Sequence, residues 1–170
     1  MSDHEKQYIF AGGGTGGHIY PGIAVAEQIC QLDPEAKILF CCSNRPVDSH
    51  ILKGSGFEFV TLDAKSPSPR PDRLIAFFSA LRKSMAKTKE HLTSNTTVVA
   101  TGGFVSVPVV LAAKKMKLPI SLINVDMVPG KANKLLARYA DEIYLQFEYT
   151  HEYFKHTKAR LKTTGCPLRK

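Results

Sequence analysis

A chain of 170 residues with 44% apolar residues, four cysteines and a formal net charge of +8 is long enough for one domain that buries about 70% of its unfolded surface. No apolar run approaches the roughly 20 residues of a membrane-spanning helix, and no signal-peptide core follows Met1-Ser-Asp-His-Glu-Lys6, so we expect an intracellular protein. Cys30, Cys41, Cys42 and Cys166 form no CxxC pair, which points to free thiols rather than to a metal or redox centre.

Alternating apolar strands and amphipathic helices run through the chain. Gln7–Ala11 reads as a buried strand, followed by the Gly-rich turn Gly12-Gly-Gly-Thr-Gly-Gly17 and a helix over about 18–31. Lys37–Cys42 is a second strand, 46–53 a short helix closed by Gly54-Ser-Gly56, and Phe57–Leu62 a third strand. Residues 64–71, with Pro67, Pro69 and Pro71, are expected to be a loop, and 72–92 a long helix. Thr97–Thr101 predicts a fourth strand ending in Gly102-Gly103, and Ser106–Lys117 a helix that tolerates Pro108 in its first turn. Ile120–Val125, a helix over 131–139 and Glu142–Phe147 complete the rhythm, and the tail ends Thr163-Thr-Gly-Cys-Pro-Leu-Arg-Lys170. Short, continuously apolar strands separated by helices imply a doubly wound α/β fold, a Rossmann-like parallel sheet covered on both faces. Ligands of such sheets sit beyond the carboxyl ends of the strands, where the turns 12–18, 102–106 and 126–130 should meet.

Glycines let a turn bring its N–H groups close to a ligand, and a following helix aims its positive dipole end at the same place, so 12–17 reads as an anion or phosphate cradle. Gly12-x-Gly14-x-x-Gly17 also satisfies the dinucleotide fingerprint, but the second strand ends Cys41-Cys-Ser-Asn-Arg45, without the acidic ribose partner. Arg45 would suit a 2′-phosphate, which keeps an NADP-binding oxidoreductase as a lesser alternative. His18 stands at the helix N-terminus, where the dipole favours a neutral, base-competent imidazole; a plain capping histidine is the other reading.

Charge divides the chain. Residues 1–60 carry 4 Lys/Arg against 7 Asp/Glu, whereas 61–170 carry 19 against 8. The later part therefore faces an anionic partner or is simply a solvated basic face. In the long helix Leu74, Phe77, Phe78, Leu81 and Met85 form a stripe expected to face the core, while Ile75 lies off it among Arg70, Arg73, Arg82, Lys83, Lys87 and Lys89. Contact of this helix with an anionic membrane surface is the competing reading. No nucleic-acid motif accompanies the charge, so nucleic acid is not expected as a partner.

Four ordered motifs, Gly13-Gly-Thr-Gly-Gly-His-x-x-Pro21, Gly102-Gly-Phe-Val-Ser-x-Pro108, Val128-Pro-Gly-x-x-Asn133-Lys-x-Leu136 and Gly165-x-Pro-Leu-Arg169, resemble the MurG family over essentially the whole chain. The resemblance implies the amino-terminal, acceptor-binding half of a two-domain GT-B glycosyltransferase, with 1–170 a single domain, 164–170 the start of an interdomain linker, and the donor-binding domain absent. It implies inverting, metal-independent and cofactor-free transfer of GlcNAc from UDP-GlcNAc, bound mostly by the missing half, to a lipid-linked diphosphate acceptor (lipid I to lipid II). His18 would be catalytic. Thr15, Gly16, Gly17, Gly102, Gly103, Phe104, Ser106, Asp126, Asn133 and Arg169 would contact the substrates. Arg70, Arg73, Ile75, Phe78 and Arg82 would touch the membrane, making the protein cytoplasmic and peripheral. The chain departs from the family where His-Glu-Gln-Asn is usual and Ile123-Asn-Val-Asp126 stands, at Phe104 in place of tyrosine, and at Cys166 in place of asparagine. A non-catalytic lipid-substrate-binding subunit that pairs with a separate donor-domain chain is the alternative.

Overall fold

The computed structural model describes residues 5–63 and 70–168, with the backbone alone for 71–73. Its elements are β1 (Gln7–Gly12), α1 (Gly16–Leu32), β2 (Lys37–Ser43), α2 (Pro46–Ser55), β3 (Glu58–Leu62), α3 (Pro71–Lys89), β4 (Thr96–Gly102), α4 (Ser106–Lys115), β5 (Ile120–Asn124), α5 (Lys131–Leu136), β6 (Glu142–Leu145), a 3-10 helix (Glu148–Tyr153) and β7 (Arg160–Thr163). The strands form one sheet in the order β3-β2-β1-β4-β5-β6-β7, and every neighbouring pair is parallel. This is the doubly wound α/β architecture expected from the alternation of apolar strands and helices.

Alternate residues of each strand supply the two halves of the core. Ile9, Ala11, Leu39, Cys41, Val98 and Ala100 pack with α4 and α5, whereas Phe10, Phe40, Cys42 and Val99 pack with Ile19, Ile23 and Ala26 of α1 and Leu52 of α2. The Phe10 and Phe40 rings stack at 5.0 Å between centroids. Gly22 lets α1 sit close to this layer, since a Cβ there would come within 3.3 Å of the Phe40 ring and of Thr101. With α1 beginning at Gly16, Pro21 falls beyond the first turn, so the Gly17 carbonyl lacks its usual intrahelical donor.

One expectation is corrected. The stripe of α3 does not all face the core: Phe77, Leu81 and Met85 are half-buried, but Leu74 and Phe78 are exposed, as is Ile75 at 73%. Ala80, Ser84 and Thr88 are the residues that turn inward. Small residues suffice there because α3 lies close against its neighbours, and the two hydroxyls are spent locally, Ser84 Oγ donating to the Asp63 carbonyl (3.1 Å) and Thr88 Oγ1 to the Ser84 carbonyl (2.8 Å). Beyond the six expected strands, the tail after 147 adds two elements. It forms the 3-10 helix, anchored by buried Phe154, and then the edge strand β7. Of the loop expected over 64–71, residues 64–69 lie outside the described residues, and Pro71 is the first residue of α3.

Cys41 and Cys42 are fully buried on opposite faces of β2, and burial pushes both thiols up to about 12; the neighbouring thiol adds to the shift of Cys41 and the Asp48 carboxylate to that of Cys42. Only a thiolate is alkylated. Native protein treated with iodoacetamide near pH 8 is therefore expected to gain label at partly exposed Cys30 and Cys166 but not at Cys41 or Cys42, which mass spectrometry of tryptic peptides reads directly.

Candidate functional site

The chain order breaks between β1 and β4, so the connections leaving these neighbouring strands diverge and a crevice opens between them. The register of the pair slips after Ala11, bringing Gly12 opposite Gly102. A Cβ at Gly12 would lie 1.9 Å from Thr101 Oγ1, and one at Gly103 would lie 2.5 Å from the Gly13 carbonyl oxygen. Gly102 and Gly103 also have φ of +122° and +79°, the left-handed region that glycine alone occupies readily. Ser106 is completely buried beneath the junction, its hydroxyl within 2.7 Å of the Ala11 carbonyl and 2.8 Å of the Gly102 carbonyl. It ties the two loops together from below and does not face the crevice.

His18 lies in the first turn of α1, half-buried between these loops. Its Nδ1 is 3.2 Å from the Gly13 carbonyl oxygen and 3.4 Å from Thr15 Oγ1. A carbonyl can only accept, so the tautomer carrying the proton on Nδ1 satisfies the shorter contact. Nε2 then keeps its lone pair and has no hydrogen-bond partner among the described residues. It lies so close over Gly102 that a Cβ on that glycine would approach it to 3.0 Å. An accepting nitrogen placed over a glycine backbone is competent to take a proton from a hydroxyl seated in the crevice.

Thr15 and Gly17 are exposed and Gly16 is half-buried at the start of α1, where the first N–H groups of a helix have no intrahelical partner. Gly14 is different: its N–H is directed inward to Asp48, at 3.1 Å from Oδ1 and 2.8 Å from Oδ2. The N–H groups left open at this turn are thus those of Gly16 and Gly17, not those of the whole of 12–17. Asn133 is buried and its amide donates to Asn124 Oδ1 at 2.8 Å, while Asn124 donates to the Asp126 carbonyl at 2.6 Å. This buried pair holds the β5–α5 loop, leaving the Asp126 side chain exposed above it. Phe104 is half-buried against the core and lines the crevice. Arg169 lies outside the described residues, as does the Arg73 side chain. Ile75, Phe78 and Arg82 belong to α3 and Arg70 is its N-cap residue; all four are exposed, and the described residues of α3, which packs on α4, contribute nothing to the lining of the crevice.

Two residues of the site carry no motif in the sequence. Arg45 Nη1 donates to the Gly14 carbonyl at 2.9 Å, and Asp48, wholly buried, accepts from Gly14 N–H, Ser43 N–H (3.1 Å) and Ser43 Oγ (2.5 Å). Asp48 also forbids a side chain at Gly13, whose Cβ would meet its Oδ2 at 2.3 Å. The available signal was an acid in the first turn of the helix that leaves β2. A dinucleotide ribose would need a carboxylate with free oxygens, and those of Asp48 are already engaged. Between the loops lies a cleft of about 190 Å³ lined by Gly13–Thr15, Ser43, Arg45 and 103–105. A larger, more apolar hollow of about 420 Å³ lies beside Val25 and Ile29 of α1, away from this chemistry. Among the described residues no three His, Cys, Asp or Glu side chains gather closely enough to hold a metal ion.

The glycosyltransferase family 28 N-terminal domain profile matches residues 8–145. UDP-N-acetylglucosamine–N-acetylmuramyl-(pentapeptide) pyrophosphoryl-undecaprenol N-acetylglucosamine transferases of Thermodesulfovibrio yellowstonii and Thermotoga neapolitana are each 38% identical to the chain, over 95% and 94% of its length. The matches cover 44% and 48% of those relatives, so the chain spans about half their length. The crystal structure of Acinetobacter baumannii MurG superposes with a TM-score of 0.74 at 25% identity, covering 95% of this chain and 46% of that one. The fold extends further: a UDP complex of Staphylococcus aureus MnaA superposes at 0.66 with 12% identity, over 95% and 44% of the two chains.

Gly103 in the crevice and Gly54 on α2 are expected to respond oppositely to alanine. Gly103→Ala combines the left-handed backbone with the clash against Gly13 and should destabilise the fold by about 1–3 kcal/mol. Gly54→Ala, in α2 with nothing within 4 Å of the added Cβ, should be neutral or stabilise by up to about 1 kcal/mol. Urea unfolding of both variants checks the contrast.

Proposed function

The chain belongs to the glycosyltransferase family 28 N-terminal domains, and on that premise we propose that it is the acceptor-binding half of a MurG-like inverting transferase. The reaction would carry GlcNAc from UDP-GlcNAc to a lipid-linked diphosphate acceptor, with the second half supplying most of the donor site. The observation that carries this reading is His18, oriented through Nδ1 with Nε2 free over Gly102 at the crevice between β1 and β4. Nε2 takes the proton of the acceptor hydroxyl as that oxygen attacks the anomeric carbon. The bond from that carbon to the donor phosphate breaks, and UDP leaves with the electron pair. The free N–H groups of Gly16 and Gly17, with the Thr15 hydroxyl, offer donors to a diphosphate at the positive end of α1. Gly102, Gly103 and Phe104 form the opposite wall. Ser106 and Asn133 support that wall from beneath, the Asp126 side chain is exposed beside it, and Arg169 is assigned a substrate contact. The reaction so written requires no metal or cofactor.

The basic helix α3 supports a peripheral contact with the cytoplasmic membrane face. No helix of the described residues is long and apolar enough to cross a membrane. Leu74, Ile75 and Phe78 expose apolar surface next to Arg70 and Arg82, the combination that favours an anionic lipid surface.

In a transfer assay with the chain joined to a donor half, UDP-GlcNAc and a lipid-linked diphosphate acceptor, His18→Ala is expected to lower kcat by roughly 10²–10⁴-fold. A loss of tenfold or less, with KM raised instead, makes His18 a positioning residue. Tight UDP-GlcNAc binding by the 170-residue chain alone would contradict placing the donor site elsewhere. Binding to phosphatidylglycerol vesicles should fall with salt and drop about fivefold for Arg82→Ala. Equal binding to phosphatidylcholine vesicles would refute the membrane contact.

A further inference from the structure

The Gly13–Gly14 peptide unit is held at both ends. Its N–H donates to both oxygens of the Asp48 carboxylate, at 3.1 and 2.8 Å, and its C=O lies 3.2 Å from His18 Nδ1. The carboxylate is fully buried, and all its described partners are hydrogen-bond donors from Gly14 and Ser43. Hydrogen bonds in series polarise one another: an anion accepting from a peptide N–H makes the carbonyl of the same peptide a stronger acceptor. Arg45 adds rigidity by donating to the next carbonyl, that of Gly14, at 2.9 Å.

We propose that Asp48 is a positioning residue for His18, acting through the Gly13–Gly14 peptide to hold the imidazole in its Nδ1–H tautomer and keep Nε2 as the proton acceptor. A carboxylate that touches an imidazole directly fixes orientation and tautomer in the same way; here one peptide plane is interposed. The arrangement explains three features at once. Position 13 must lack a Cβ because Asp48 Oδ2 occupies that space. Gly14 holds φ of +88°, which turns its N–H inward. The turn, expected to be an anion cradle, spends that N–H on a group of the chain itself. The inference rests on the reading of His18 as the base, since the tautomer matters to the reaction only if Nε2 accepts the proton.

Long-range ¹H–¹⁵N spectra of the ¹⁵N-labelled chain near pH 8.5, above the ordinary histidine range, read the tautomer directly, with the His18 signals assigned by their loss in His18→Phe. We expect Nδ1–H to predominate in the unsubstituted chain. In Asp48→Asn the ratio of Nδ1–H to Nε2–H should fall by about fivefold, the loss expected for one weakened hydrogen bond. An Nε2–H tautomer in the unsubstituted chain overturns the proposal, and so does a folded Asp48→Asn chain with an unchanged ratio. Should Asp48→Asn not fold, His18→Phe tests the relay from the other end. It keeps an aromatic ring but removes the donor, and the Gly14 amide proton should move upfield more than those of Gly16 and Gly17. An unmoved Gly14 amide overturns the proposal. These readouts are independent of turnover. If His18→Ala leaves transfer within tenfold while the tautomer behaves as expected, the base reading fails and the relay stands; full kinetic loss with no effect of Asp48 on the ring is the converse.

Discussion

Two backbones approach at the β1–β4 junction more closely than any side chain allows, and most of the molecule accommodates that approach. Gly12 and Gly102 face each other across the register slip, Gly103 lies against the Gly13 carbonyl, and the buried Ser106 hydroxyl bridges the carbonyls of both loops. With no Cβ between them, the strands open a crevice whose walls are main chain, and main chain is a rigid support for a reacting group. His18 inherits its position from this junction, since its ring rests between Gly13 on one side and Gly102 on the other.

Fold class and the order of elements are legible in the sequence because short continuous apolar runs alternate with helical periodicity, and glycines or prolines punctuate nearly every boundary. β7 is not legible. Arg160–Thr163 contributes one half-buried residue and otherwise faces solvent, so it carries no apolar pattern; its place is set by pairing with β6 and by Arg160 and Lys162 meeting Glu142. The burial of α3 escapes periodicity for a related reason. Periodicity finds a stripe of large apolar residues, but the surface that packs is marked by Ala80, Ser84 and Thr88, residues that hydropathy ranks as neutral.

Of the site, the glycine loops and His18 are readable as motifs, because such loops demand residue types that are otherwise costly at these positions. The supporting residues are harder to see. Asp48 is 34 residues from the peptide it holds. A ribose ligand would be an acid at the end of β2, whereas the fold delivers one from the next helix as an internal anchor. Ser106 and Asn133 belong to the loops of the crevice but lie beneath them rather than facing a ligand. Sequence proximity to a glycine turn does not distinguish a group that faces the ligand from one that holds the turn, and only burial separates them.

The strand order also governs when the crevice comes into being. β1 is flanked by β2, made soon after it, and by β4, made much later: Thr96 and Gln7, hydrogen-bonded across that seam, are 89 residues apart. Closing a loop of that length costs entropy that local contacts do not offset until the strands meet, so non-local pairings of this kind form slowly. During synthesis, β1, β2 and β3 emerge with α1 and α2 before β4 is available. Until the segment through Ser106 leaves the ribosome, His18 has one wall and no second loop to rest on. The growing chain therefore holds three of its seven strands without a complete crevice, and exposes the β1 edge to any passing strand until its own partner arrives.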